Sequence, residues 1–470
     1  MPNYDLKRDV HQSIAYLKHK LADQEDVIFK EIQIPKFNCS CFAVYLQERV
    51  NFQAFSNIIL NLVSASDGTK EEHSLEEIII SKISPYSDQN VYSYSEIINQ
   101  LFRGNLILLV DGFARAYVLK LAEKKLRTFS EPTTEQVIRG PKIGFIESLE
   151  DNIGLIRQLS NHPNLIVKFK NTGTIEKKRL AILYIKDVAQ ESLIQEVNKR
   201  INKILTKDFQ DSGMVEDLIQ DQIYSVFPQT QNTERVDRVL ASLTSGKVVL
   251  LLDGSPFAII APTSLITLME AADDYYNRWI SGTFIRFLRY FAMFMTIFLT
   301  ATYISLVSFN PGLLPTELAI TIMGTRENIP FPPIFEALIM EITIELLRET
   351  GIRLPSPIGQ IVGLVGGVVI GQAAVEANIV SSIMVIIVAL TTITSFTLPQ
   401  YNSVFSIRFL RFGAMLFASV FGVFGTTLYF IILTIHLAKL KSFNESYFEP
   451  SMFIEKKTWK DALIRFPRRN

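Results

Sequence analysis

Long hydrophobic runs without charge dominate the C-terminal part of the chain. Residues 290–309 carry no charge and have the ~20 residues that are needed to cross ~30 Å of hydrocarbon. Three further uncharged runs follow at residues 358–375, 379–398 and 412–438. Because a helix of a soluble protein rarely stays uncharged for so long, the pattern predicts an α-helical polytopic membrane domain over residues 281–438, with four spans near these runs.

Positive charge flanks this region on both sides. Arg286 and Arg289 precede the first run, and residues 439–470 form a basic tail. The positive-inside rule places both segments in the cytoplasm, which an even number of spans allows. Since residues 1–30 lack the apolar core of a signal peptide, we also expect the N-terminal region to be cytoplasmic.

An acidic helix is predicted over residues 332–350. Glu341, Glu345 and Glu349 share one face of it, and Glu336 lies about 140° away. Each charge at the bilayer centre costs about 2.5–3.5 kcal/mol, so these side chains should not face lipid. Either the helix lies at the interface, or it is buried in an assembly where rings of carboxylates form a cation pathway. If this helix crossed the membrane, the basic tail would lie outside the cytoplasm. The positive charge of the tail therefore favours four spans, with the acidic helix not counted among them.

A glycine pattern follows the acidic helix. Gly363, Gly367 and Gly371 line one helix face, where glycine lets another backbone approach closely. The partner is either another helix of the same chain or a second subunit. In a pore, the gate would lie near this stretch, and Gln360 and Val362 are the further candidates for its lining.

The N-terminal region contains an internal repeat. Residues 104–112 match residues 246–254 at an offset of about 140 residues, and both are strand-length hydrophobic runs closed by Asp-Gly. Two strands and a helix precede each match in the same order. We therefore predict an α/β soluble region of two repeated subdomains, residues 1–130 and 161–280.

The segment between the repeats, residues 131–160, is interpreted as a linker or clamp. Arg139 with Glu131 or Glu135 would form charge-assisted bonds there. An apolar pattern from Glu147 onward predicts a helix that clamps one subdomain to the other. The segment is either a structural clamp or a coupling and subunit contact, and its candidate residues are Glu131, Glu135, Arg139, Gly140, Pro141, Glu147, Asn152 and Arg157.

Composition and motifs do not indicate an enzyme, a cofactor or a metal. Lys and Arg together number 47, as do Asp and Glu, which disfavours a nucleic-acid partner. The five histidines lack metal-ligand spacing, and Cys39 and Cys41 are expected to be small buried core residues. Asp111 and Asp253 are interpreted as turn residues.

Four motifs resemble one known family. EPTTEQVIRGPKIGFIESLEDNIGLIR at residues 131–157 looks like a signature of the A subunits of GerA-type spore germinant receptors. The LLLDG strand, the ELLRETGIRLPSPIGQ segment and the GLVGGVVIGQAAVEANIVS helix are similar as well. The resemblance spans nearly the whole chain.

The resemblance implies a role in spore germination. Such a subunit sits in the spore inner membrane as a homo-oligomer, beside a permease-like B subunit and a lipoprotein C subunit. Its expected activity is that of a ligand-gated cation channel that opens in response to a nutrient germinant. A non-conducting scaffold that relays the signal is the first alternative. A secondary transporter is the second, although the visible repeat lies in the soluble half.

Overall fold

The computed structural model describes residues 5–34, 39–64, 75–122, 130–355, 358–359, 363 and 366–448. The chain forms two compact units. The first comprises residues 1–136, 141–220 and 230–262, and the second comprises residues 137–140, 221–229 and 263–470.

The first unit contains two antiparallel five-stranded sheets with the same strand order. Their orders are β1-β2-β4-β5-β3 and β6-β7-β9-β10-β8, so the second repeats the first strand for strand. The strands are β1 Val27–Ile34, β2 Cys39–Leu46, β3 Ser87–Val91, β4 Leu106–Val110, β5 Ala116–Leu119, β6 Leu165–Thr172, β7 Lys178–Ile185, β8 Gln231–Thr233, β9 Val248–Leu252 and β10 Ala258–Ala261. The α/β class predicted for this region is confirmed.

Helices cover both faces of each sheet. They are α1 Val10–Lys20, α2 Phe52–Ser64, α3 Leu75–Ile83, α4 Tyr94–Phe102, α5 Leu149–Leu159, α6 Glu191–Ile204, α7 Ser212–Ile219 and α8 Val236–Thr244. In the first sheet, α1 and α4 pack on one face and α2 and α3 on the other. The side chain of Cys41 is fully buried in the second of these cores, and burial raises its pKa to about 12.

The repeat extends one helix further than the sequence match suggested. The carboxylate of Asp111 accepts a hydrogen bond from the amide of Val10, the first residue of α1. In the same way, Asp253 accepts from the amide of Leu149, the first residue of α5. Helix α5 therefore opens the second repeat as α1 opens the first, and the predicted boundary at residue 160 is too late.

The second unit is helical and ends in a short β-hairpin. Its elements are α9 Leu265–Met269, α10 Asp273–Tyr276, α11 Trp279–Ser308, α12 Thr316–Gly324, α13 Pro333–Arg353, α14 Gly371–Glu376, α15 Ser382–Ser395, α16 Tyr401–Lys439, β11 Lys441–Ser442 and β12 Glu445–Ser446. Within the described residues, two helices are long and apolar enough to cross a membrane, Trp279–Ser308 and Asn402–Lys439. This finding alone does not establish the predicted multi-pass topology.

Helix α16 is a hairpin and not a single rod. Gly422 has φ +58°, outside the helical region. The Tyr429 hydroxyl donates to the carbonyl of Leu410 at 3.0 Å, although in one straight helix these residues would stand about 28 Å apart. Ser406 and His436, one on each arm, both bond to residues 225–226. Because the arms run antiparallel, residues 412–438 do not form one straight helix.

The other three predicted spans agree with the helices of the structure to different extents. The first lies almost wholly within α11. The third coincides with α15, whose 14 residues reach only about 21 Å, less than the hydrocarbon thickness. The second, residues 358–375, falls partly outside the described residues. The four-span topology stays a prediction.

Candidate functional site

An ion pair joins the two repeats of the first unit. Arg157 of α5 binds the carboxylate of Asp26 through two nitrogens, Nε at 2.7 Å and Nη2 at 2.9 Å. Its Nη2 also donates to Gln24 Oε1 at 2.7 Å, and its guanidinium lies over the ring of Phe102. Both charged side chains are at most 1% exposed. Arg157 lies in residues 131–160, the segment that the sequence pattern indicated as a linker or clamp.

Close backbone packing accompanies the ion pair. A Cβ on Gly154 would lie 2.8 Å from the carbonyl oxygen of Glu48, so glycine lets α5 approach the turn Gln47–Arg49. Both carboxylate oxygens of Glu48 are buried and have no hydrogen-bond partner within the described part of the chain. Burial, reinforced by Asp26, raises the pKa of Glu48 to about 8.

The extended segment before α5 is bound to the second repeat. Glu135 accepts from Thr233 Oγ1 at 2.7 Å and pairs with Arg238 at 3.0 Å. Glu131 pairs with Lys142 at 3.6 Å. Among the described residues, these two carboxylates pair with Lys142 and Arg238 and not with Arg139, because β8 and α8 place a different cation beside Glu135.

Four further candidates act mainly through the backbone. Asn152 is buried and makes two bonds to the backbone of Ile146, at 2.6 and 2.9 Å. The backbone carbonyl of the exposed Glu147 accepts a hydrogen bond from the amide of Gly254. The backbone carbonyl of Pro141 accepts one from the guanidinium of Arg235. Gly140 has φ +128°, and a Cβ there would lie 2.6 Å from the ring of Tyr276. These four residues thus support the local chain path, Asn152 through its side chain and the others through the backbone.

The acidic helix α13 packs against α11, α15 and α16. Glu341 is fully buried and pairs with Arg411 of α16 at 2.6 Å. Its Oε1 is also within reach of the hydroxyls of Thr300 and Thr391, at 3.4 and 3.5 Å. At Glu341 the acidic face therefore packs against α16 and does not meet water.

The other glutamates of α13 also have arginine partners. Glu336 is fully buried and pairs with Arg326 at 2.9 Å. Exposure increases along the predicted face, from 0% for Glu341 to 33% for Glu345 and 59% for Glu349. The pairs of the last two are Glu345 with Arg348 and with Arg408, and Glu349 with Arg353. The row of carboxylates is thus compensated along its length.

The predicted glycine face lines a groove in the same unit. The groove has a volume of about 720 Å³ and lies between α13, α15 and the glycine-containing segment, with Gly363, Gly367 and Gly371 in its wall. No heavy atom of the described chain lies within 4 Å of a Cβ position on Gly363 or Gly367. Gln360 and Val362 lie outside the described residues.

Sequence reasoning missed the arginines that pair with the acidic helix. Arg408 and Arg411 lie between two uncharged runs, residues 379–398 and 412–438. The signal was available, because buried carboxylates in a membrane domain require partners, and these two are among its few cations. The reversal at Gly422 had no comparable signal.

Comparison with known proteins identifies the family. The profile described as "Bacillus/Clostridium GerA spore germination protein" matches residues 15–470. The chain belongs to the GerA family.

Two relatives align with this chain over nearly their full length. Spore germination protein A1 of Bacillus subtilis (strain 168) is 44% identical over 100% of this chain and 96% of its own. Spore germination protein B1 of the same organism is 40% identical over 98% of this chain and 95% of its own. The crystal structure of the N-terminal domain of the A subunit of the Bacillus megaterium spore germinant receptor GerK3 aligns at 24% identity and TM-score 0.44, over 56% of this chain and 98% of that domain.

Proposed function

We propose that this GerA protein is the A subunit of a nutrient germinant receptor and assembles with further copies of itself into a ligand-gated cation channel. It acts beside a permease-like B subunit and a lipoprotein C subunit in the spore inner membrane. Its N-terminal region faces the cytoplasm. The full-length alignment with spore germination protein A1 supports the subunit assignment.

The observation that carries the channel proposal is the row of carboxylates on α13. Glu341, Glu345 and Glu349 run from a fully buried position to an exposed one. Carboxylate rows attract cations in pores, and paired arginines neutralise that attraction. Channel opening would therefore separate Arg408 and Arg411 from these carboxylates and leave them free to attract permeating ions.

The glycine groove supports assembly of several copies. Its wall is mostly apolar, and the Cβ positions of Gly363 and Gly367 point into space that the described chain leaves open. Small residues on an open helix face allow a second helix to approach closely. We propose that a helix of a second copy occupies it.

The test is potassium flux through liposomes that contain the receptor with its partner subunits. Germinant should start flux, and Glu345→Gln with Glu349→Gln should reduce it, because these partly exposed carboxylates would meet the ions first. Glu317→Gln, an exposed carboxylate on α12, is the matched control. Assembly is checked in each case by co-purification of the three subunits.

A non-conducting relay scaffold remains the second candidate, because every glutamate of the row already has an arginine partner. Silent liposomes from an assembled complex that binds germinant would favour the scaffold. Flux that is unchanged in the double variant would show that ions do not pass this row.

A further inference from the structure

A polar groove lies in the second repeat of the first unit. It has a volume of about 570 Å³, a size typical of small-molecule sites. Its wall includes Lys168 of β6, Lys199 and Lys203 of α6, and also Glu191, Asn202 and Tyr184. Three lysines and one glutamate therefore line a cleft large enough for a ligand.

The first repeat provides an internal comparison, since its strand register is the same. Lys30 pairs with Ala43 as Lys168 pairs with Ile182, so the two lysines hold equivalent places in their sheets. In the first repeat, the Lys30 ammonium lies over the rings of Phe52 and Phe55, at 5.9 and 5.6 Å. Two aromatic rings thus lie beside the side chain of Lys30, which itself is exposed.

The second repeat lacks these rings. Helix α6 begins at Glu191 where α2 begins at Phe52, and Ile194 takes the place of Phe55. The face of α6 beside Lys168 is polar. Where the first repeat has two aromatic rings beside its lysine, the second has a polar cleft.

The acidic side chains near the cleft are already engaged. Glu191 accepts from Gln195 at 3.3 Å, and Asp23 pairs with Lys186. Lys199 reaches Glu196 at 3.5 Å, but this carboxylate also binds an arginine. Among the described residues, no carboxylate forms a salt bridge with Lys168 or Lys203, and three lysines line the wall beside one glutamate, Glu191. The cleft therefore has an excess of positive charge.

We propose that this cleft binds a small ligand through a phosphate group. Ammonium groups are point charges suited to phosphate oxygens, and the Asn202 amide supplies further donors. The tyrosine ring and the side chain of Ile194 would contact the remainder of the ligand. The site lies in the first unit and does not depend on channel activity.

Calorimetric titration of the full chain in neutral detergent tests this proposal. The probes are inorganic phosphate at constant ionic strength and, separately, phosphatidylglycerol added to the micelles, which distinguishes a free phosphate from a lipid headgroup. Saturable binding is expected, and Lys168→Gln with Lys203→Gln should weaken it about tenfold or more, because each substitution removes a charge-assisted contact. Lys30→Gln, the equivalent lysine of the first repeat, is the control.

Binding of either probe that the double variant weakens and Lys30→Gln does not would support the site, and the probe that binds identifies the source of the phosphate. No saturable binding of either probe would overturn it. Equal weakening in the double variant and in Lys30→Gln would overturn it too, because it would indicate only a general effect of charge. Thermal unfolding of each variant shows that the fold is intact.

Discussion

At the scale of single residues, buried charge distinguishes both units of the protein. Arg157 with Asp26 and Glu341 with Arg411 are each almost inaccessible to water. A buried pair repays the loss of hydration only while both partners are present. Such residues are therefore sensitive to single substitutions and tolerant of paired ones.

The first prediction concerns Glu341. Glu341→Gln leaves the buried Arg411 guanidinium with only the more distant Glu345, at 4.0 Å, as a counter-charge, and should cost about 3–5 kcal/mol of unfolding free energy. Replacing both, Glu341→Gln with Arg411→Gln, should recover most of that loss. Glu349→Gln breaks only an exposed pair and should cost less than about 1 kcal/mol. Unfolding in detergent, followed by circular dichroism, measures all three.

The second prediction concerns Glu216 of α7, which is buried and accepts a hydrogen bond from Thr230 at 2.7 Å. Burial raises its pKa from 4.5 to about 7. Since the folded state binds this proton more tightly than the unfolded state, stability should fall as pH rises from about 4.5 to about 7 and then level off.

Melting temperatures across this pH range test the effect. Glu216→Gln cannot ionise, so its stability should decline less steeply than that of the wild type, by up to about 3 kcal/mol across the range. The exposed Glu176→Gln is the control. Equal slopes for wild type and Glu216→Gln would show that this carboxyl does not hold the proton.

At the scale of elements, Gly422 turns one long apolar stretch into two antiparallel helices. A Cβ at this position would lie 2.8 Å from the Cβ of Phe309, and the left-handed φ is itself unfavourable for other residues. The arms, residues 401–421 and 423–439, would be about 31 and 25 Å long. The second arm thereby returns the chain to the side where the first began.

The third prediction follows from this turn. Gly422→Ala should destabilise the protein by about 1–3 kcal/mol, because it adds backbone strain and a clash with Phe309. Gly312→Ala is the matched control, since its Cβ would meet nothing within 4 Å. Melting in detergent compares the two variants. A neutral Gly422→Ala would mean that the hairpin does not require glycine.

At the scale of the whole molecule, the glycine groove is the surface that we propose a second copy occupies. Its wall combines α13 and α15 with a segment that carries glycines where a neighbouring helix would fit. Helices in membranes associate through this kind of close contact, since hydrophobic burial contributes little between them.

The fourth prediction tests assembly. Gly363→Leu or Gly367→Leu would place a bulky side chain in the groove and should shift the purified protein from oligomer to monomer, as measured by light scattering after size exclusion. Gly324→Leu is the control, because its Cβ position is also open but lies outside the groove. An unchanged mass in the groove variants would place the subunit contact elsewhere.

The sequence alone determined the features that depend on local order. The two matching Asp-Gly strands predicted the α/β repeat, because strand length and turn chemistry are written in consecutive residues. The sequence alone also predicted the row of glutamates on α13 and showed the resemblance to the family. Long uncharged runs located the apolar helices, but they did not determine how many times the chain crosses the membrane.

Only the tertiary structure decided which distant residues meet. Asp26 and Arg157 are separated by 131 positions, and Glu341 and Arg411 belong to different helices. The pattern of apolar residues continues unbroken through Gly422, so the reversal depends on how Phe309 and Asn310 pack there. The periodicity of the sequence shows which face of a helix or strand is apolar. Which charged residues pair, and where an apolar stretch reverses direction, depend on packing and charge neutralisation between residues that are distant in sequence.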